Sequence, residues 1–183
     1  MPRWPWRAEP NGSKADSIVA QLPREDATPT IDAAVEVVPE DGTALIAPIT
    51  LLRVAEALEK LEIRYLTDGD GSLLALWERH AVLFALEGPS DEILVIRARP
   101  HATVPPDWAD RSYRVVNEWN HTRRFYKAYI GDPTDRGQLP IYAEMQVPLL
   151  SGAHDALVAE LVDCATVVAL GFVDWLHDEG ALL

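Results

Sequence analysis

Apolar and polar positions change their spacing several times along this chain, and each change marks an element. Leu51, Val54, Ala55, Leu58 and Leu61 recur at helical intervals, with Arg53, Glu56, Glu59 and Lys60 on the opposite side. Thr50 precedes them and can cap the first turn, its hydroxyl accepting from a backbone N–H that has no partner inside the helix. The period then shortens. Residues 63–66, 73–77, 81–87 and 93–99 are rich in aliphatic and aromatic side chains and read as consecutive strands. Asp68-Gly69-Asp70-Gly71 separates the first two, because glycine tolerates positive φ and aspartate bonds its own backbone. Glu78-Arg79-His80 and Gly88-Pro89-Ser90-Asp91 separate the next pairs, and links this short predict antiparallel neighbours.

Pro105-Pro106 opens a second helix, where proline suits the first turn, and Trp108, Ser112, Val115, Val116 and Trp119 form its expected inward stripe. Two more strands follow over 126–130 and 141–147, with Gly131-Asp132-Pro133 and Asp135-Arg136-Gly137 as turn chemistry between them. A final helix is predicted from about 153 to 177, and its middle, 165–173, is apolar almost all the way round. A helix of that kind has to be covered on more than one face. One face can lie on the sheet; the other needs a second helix, the N-terminal segment or another subunit. The order α-β-β-β-(β)-α-β-β-α predicts an α+β fold, with helices packed on an antiparallel sheet.

Residues 1–47 have a different texture. Pro2, Pro5, Pro10, Pro23, Pro29 and Pro39 interrupt every candidate element, and no apolar period is sustained. Short isolated pieces do not offset their ordering entropy, so this stretch reads as a Pro-rich, partly disordered tail ahead of one domain over 48–183. Trp4 and Trp6 are unusual in a tail. They are expected to pack on the domain surface, with a docking motif for a partner as the other reading.

Charge narrows the function classes. The chain carries 29 acidic and 16 basic residues, a formal charge of −13, which repels a duplex or an anionic membrane. Nucleic-acid binding and membrane insertion are therefore not expected, and an acidic surface favours a basic client. One cysteine, Cys164, rules out an intrachain disulfide framework. Arg3 and Arg7 have no apolar run behind them, and the hydrophobic stretch 161–176 is interrupted by Asp163 and Asp174. The expected location is the cytoplasm.

Chemistry is hard to find. His80, His101, His121, His154 and His177 include no pair at the spacing of a helical metal site. Asp68-x-Asp70-x-Ser72 begins like a calcium loop but has Leu73 at the sixth position and Arg79 at the twelfth, so a plain hairpin turn explains it better. Cys164 lies beside Asp163 among apolar residues, which favours an inert packed thiol. No phosphate loop, nucleophile elbow or catalytic set is present in the sequence, and neither an enzyme nor a bound cofactor is expected. The unusual segment is Asn117-Glu118-Trp119-Asn120, followed by Phe125. Trp119 belongs to the inward stripe, and the asparagines are placed to bond backbone groups where helix hands over to strand, or else to form a polar contact surface.

At this segment the chain resembles the YbjN family of bacterial proteins, especially its actinobacterial branch. The resemblance covers most of 48–183. It rests on Leu52-Arg53-Val54 with Leu58, the turn ending at Gly71, Trp77, Asn117-Glu118-Trp119-Asn120, Ala143-Glu144 and the ending Phe172-x-x-Trp175-Leu176. Many members have Trp-Pro before the lysine of the next strand, where this chain reads Phe125-Tyr126-Lys127. The resemblance implies a type III secretion chaperone-like α+β fold that commonly dimerises and a role in regulation, with no catalytic residues to carry over. The expected function is a non-catalytic, chaperone-like or regulatory protein-binding module, acting as a homodimer. Asn117, Trp119, Asn120 and Phe125 are its candidate binding or structural motif, and Val168, Phe172 and Trp175 its candidate dimer or partner surface. The alternative is a small-ligand sensor or enzyme with a pocket between sheet and helices, drawing on Asn117, Asn120, Tyr113 and Tyr129.

Overall fold

The computed structural model describes residues 45–183. The expectations for the tail, including Trp4 and Trp6, lie outside the described residues. Helix α1 spans Leu51–Lys60, and Thr50 caps it as expected, accepting from the Arg53 N–H. Four strands follow: β1 (Tyr65–Thr67), β2 (Leu73–Leu76), β3 (His80–Glu87) and β4 (Ile93–Pro100). After a 3-10 turn at Pro106–Trp108 come α2 (Ala109–Thr122), β5 (Lys127–Ile130), β6 (Ile141–Pro148) and α3 (Asp155–His177). The strands form one antiparallel sheet in the order β1-β2-β3-β4-β6-β5. This is the α+β architecture that the spacing predicts, with the optional fourth strand present.

Strand alternation sorts the sheet into two faces. Across one face run Leu73, Phe84, Ile96 and Met145 as successive cross-strand partners, and beside them Ala75, Val82, Ala98, Ala143 and Ala128. All are buried, and α1 and α3 pack over them. The layer between sheet and helices is filled by Phe84, Ile96, Phe172, Leu58 and Leu176, all fully buried. The polar groups offered for a pocket there do not converge: Tyr113 and Asn117 are exposed on α2, and Tyr129 bonds Glu144 on the opposite face of the sheet.

Three details depart from the sequence reading. Trp108 belongs to the 3-10 turn rather than to the α2 register, so it leaves the inward stripe; it is 41% exposed, with the Arg111 guanidinium 4.9 Å from its ring. The first strand starts later than expected, because α1 ends in a left-handed residue, Glu62 at φ 57°, after which the Ile63 N–H donates back to the Leu58 carbonyl. The final helix has 23 residues and is long and apolar enough to cross a membrane, which the interrupted stretch 161–176 did not suggest. Its inner face is occupied: Val158, Val162, Ala165, Ala169, Phe172 and Leu176 lie in the core.

Arg53 ties the beginning of α1 to the beginning of α3. Its side chain is largely buried and donates to the Ala47, Pro48 and Ala153 carbonyls at 2.7–2.9 Å, and to Asp155 at 2.6 Å. Ala47 and Ala153 also exchange backbone hydrogen bonds. Only a planar guanidinium reaches this many acceptors at once. Replacing Arg53 by methionine keeps the apolar stem and loses the fork. Urea unfolding of that variant is expected to show a loss of about 2–3 kcal/mol, and Arg53→Lys should recover little of it.

His80 is buried against Trp77, rings stacked at 5.0 Å, and its Nε2 has no hydrogen-bond partner among the described residues. Burial pushes its pKa below the ordinary 6.5, and neighbouring His101 adds to the effect. The unfolded chain therefore takes a proton at this ring more readily than the folded one. The stability this group contributes is complete above pH 6.5 and is lost as pH falls from there toward the lowered folded value. Thermal melts of the His80→Phe variant between pH 7 and pH 5.5 are expected to show a smaller acid-side decline than the parent chain.

Candidate functional site

The segment singled out between α2 and β5 is held by several side-chain anchors. Trp119 is buried, its ring edge-on to Phe172 at 4.9 Å and tilted against Trp175 at 5.5 Å. Its indole N–H donates to the Tyr126 carbonyl at 3.2 Å. Asn120 makes a two-point contact with β5: its Nδ2 donates to the Ala128 carbonyl at 2.9 Å and its Oδ1 accepts from the Ala128 N–H at 2.8 Å. The amide thus does what a neighbouring strand would do, and it closes the sheet edge at Ala128. Tyr126 is buried beyond it, and its hydroxyl donates to the Ala165 carbonyl of α3 at 3.1 Å. Burial pushes the Tyr126 phenol well above its usual pKa, so it stays a donor at any ordinary pH.

These anchors leave little slack for the connection. The chain turns in three residues, with the Tyr126 N–H donating to the Arg124 carbonyl at 2.9 Å and Phe125 at the centre with φ 68°. This is the rarer, strained sense of a γ-turn. A bulky residue at positive φ is worth a functional question. Here the Phe125 ring is 66% exposed, while Tyr126 takes the interior position.

Phe125 stands at the rim of a cleft of about 630 Å³ between the end of α2 and the outer side of α3. Trp119 and Trp175 border the cleft, and Val167, Val168 and Gly171 of α3 line it as well. Arg123 and Arg124 stand on one side, with Asp174, Asp178 and Glu179 on the other. Glu179 accepts from the Trp175 indole at 3.0 Å and lies 3.6 Å from Arg123, and Asp174 pairs with Arg79. Arg124 and Asp178 form no ion pair among the described residues.

The structure brings together most of the residues singled out in the sequence. Trp119, Phe125, Val168 and Trp175 line one cleft, while Asn120 is spent on Ala128 of β5. Asn117 does not join them; it is exposed on α2. Phe172 needs correcting as a contact surface, whereas Trp175 keeps one edge on the cleft. Phe172 has no exposure and Trp175 only 7%, because both are spent packing α3 on Trp119. The large apolar residues of that helix that face outward are Val167 and Leu170.

A second surface was not anticipated. The sheet face opposite the helices carries Leu66, Leu74, Leu76 and Leu83 beside Arg97, Arg99 and Tyr142. One signal was available: β2 and β3 are apolar at nearly every position rather than alternating, the pattern of strands meant to be covered on both sides.

Together these features define a two-layer α+β domain with helices on one antiparallel sheet. The YbjN family model, described as "Putative bacterial sensory transduction regulator", matches residues 50–178, and the chain belongs to that family. Among solved structures it is similar to the "Crystal structure of YbjN, a putative transcription regulator from E. coli", with a TM-score of 0.61 at 13% identity. That match covers 74% of this chain and 97% of the other, and at this identity it speaks to the fold. No curated protein matches the sequence.

The two-point contact makes a graded test. Asn120→Ala is expected to cost about 1–3 kcal/mol and to raise hydrogen exchange at the Ala128 amide, whereas Asn120→Asp keeps that acceptor and should preserve the protection while losing the donor.

Proposed function

We propose that this YbjN-family chain is a non-catalytic regulator that acts by binding protein, and that it does so as a homodimer. The observation that supports the reading is the composition of the α2–α3 cleft. An isologous interface needs a patch that matches itself under a two-fold rotation. The cleft has an aromatic knob, Phe125, next to an apolar hollow, and a cationic side next to an anionic one. Two copies related by a two-fold near Gly171 would each seat Phe125 in the other's hollow, and Arg124 of each would meet Asp178 of the other.

The backbone strain at Phe125 supports the same reading. A buried phenylalanine at this turn would serve stability alone; an exposed one at φ 68° serves contact. The chaperone-like element of the reading is that such a dimer holds a segment of another protein on apolar surface rather than transforming it.

Asparagine tolerates positive φ better than phenylalanine, so Phe125→Asn removes the ring without adding backbone strain. Sedimentation equilibrium should show a dimer for the parent chain and a dissociation constant raised at least about tenfold for the variant, with an unchanged or higher melting temperature. A parent chain that stays monomeric across the accessible concentration range would remove the dimer from this reading.

A further inference from the structure

The uncovered face of the sheet is divided by chemistry along a line between β3 and β4. One cross-strand row reads Leu66, Leu74, Leu83, Arg97, Glu144, Lys127 from edge to edge. The next row pairs Leu76 with Ala81 and Ala81 with Arg99, whose guanidinium lies 5.8 Å from the centre of the Tyr142 ring. The β1–β3 half is thus aliphatic, and the β4–β6–β5 half carries cations and phenols. A hollow of about 380 Å³ lies at the seam, between the leucines and the Arg97–Arg99 column.

The cations differ in what remains of their charge. Arg97 is neutralised by Glu144 at 2.5 Å, with Glu87 at 4.0 Å. Arg99 and Lys127 have no carboxylate within ion-pair distance among the described residues. In a chain of formal charge −13, this face therefore presents free positive charge beside exposed leucines. A face made only for water would carry polar side chains at Leu66 and Leu76, which are instead more than half exposed.

We infer that this face docks an acidic, amphipathic segment of a partner protein, its apolar side chains on the leucine half and its carboxylates on Arg99 and Lys127. The inference rests on the protein-binding reading above and names the face and the chemistry of the partner. A second copy of this chain fits poorly. A two-fold that lays leucines on leucines leaves the cationic half unmatched, and one through the seam lays leucines on arginines. The overall negative charge would suggest a basic client, but a partner meets the local face, and attraction across a Debye length of about 8 Å is set by the charges there.

The test uses the full chain and three synthetic peptides of one length. One places leucine at helical spacing with glutamate elsewhere, one replaces every glutamate by lysine, and one scrambles the first. Binding is followed by fluorescence anisotropy, and the contact is mapped by amide chemical-shift changes. The expected result is that the Leu/Glu peptide binds more tightly than the other two, less so as salt rises, with changes centred on Leu74, Leu83 and Arg99. Arg99→Glu should weaken that binding by about tenfold and strengthen binding of the Leu/Lys peptide, while the exposed-site variant Leu76→Asn weakens both. The proposal fails if the Leu/Lys peptide binds the parent chain as well or better, if no peptide binds, or if only mixed phosphatidylcholine–phosphatidylglycerol vesicles bind. Shift changes confined to the Phe125 cleft would also sink it, yet would leave the protein-binding reading standing. Absence of peptide binding together with a monomeric parent chain would remove both.

Discussion

Helix α3 carries more apolar surface than one neighbour can bury, and much of the domain is arranged around covering it. The sheet and α1 take Val158, Val162, Ala165, Ala169, Phe172 and Leu176. Burial at about 25 cal/mol per Å² makes that contact the main stabilising term in so small a domain. The start of the helix is held by Arg53, which gathers the Ala47, Pro48 and Ala153 carbonyls and Asp155 around one guanidinium. Toward its end, Trp119 from α2 packs on Phe172 and Trp175. Because α2 is drawn to α3 in this way, the chain leaving α2 must reach β5 at once, and Asn120 clips Ala128 in place.

The two contact surfaces are what this arrangement leaves over. Trp119, Asn120 and Tyr126 are all committed inward, and of the three residues between the helix end and Tyr126 it is Phe125 that takes the positive φ and stands outward. Val167 and Leu170 remain uncovered on α3 because α1, α2 and the sheet have used the other directions. With α1 and α3 packed on the other face, no helix among the described residues lies over the leucines of β1–β3. Both surfaces are apolar and bordered by charge.

Helix and strand periods were legible where the local signal and the tertiary demand agree. Thr50 caps α1, the Asp68–Gly71 turn closes as aspartate and glycine chemistry requires, with Gly71 at φ 91°, and the short links make β1 to β4 antiparallel neighbours, whereas the β4–β6 pairing was not legible. Trp108 misled because helical spacing was extended into a 3-10 turn, where residues are placed every third rather than every 3.6 positions. Trp119, Asn120 and Phe125 were recognisable as unusual together, though not their division of labour: anchor, edge clip and exposed knob. Phe172 and Trp175 looked like candidates for an interface because an all-apolar helix does not state which of its faces the chain itself will cover.

Sequence alone determined the class of fold, the helical and strand segments, the need to cover α3 on several sides and the family motifs, since these depend on periodicity and on turn and capping chemistry within a few residues. Only the tertiary structure decided which apolar residues stay outside. Exposure is set by what packs against a face, and the pairing of Ile96 with Met145, Arg97 with Glu144 and Trp119 with Phe172 joins positions far apart in the chain. The local charge of the uncovered sheet face, opposite in sign to the −13 of the whole chain, is likewise a product of strand register, which no sum over residues contains.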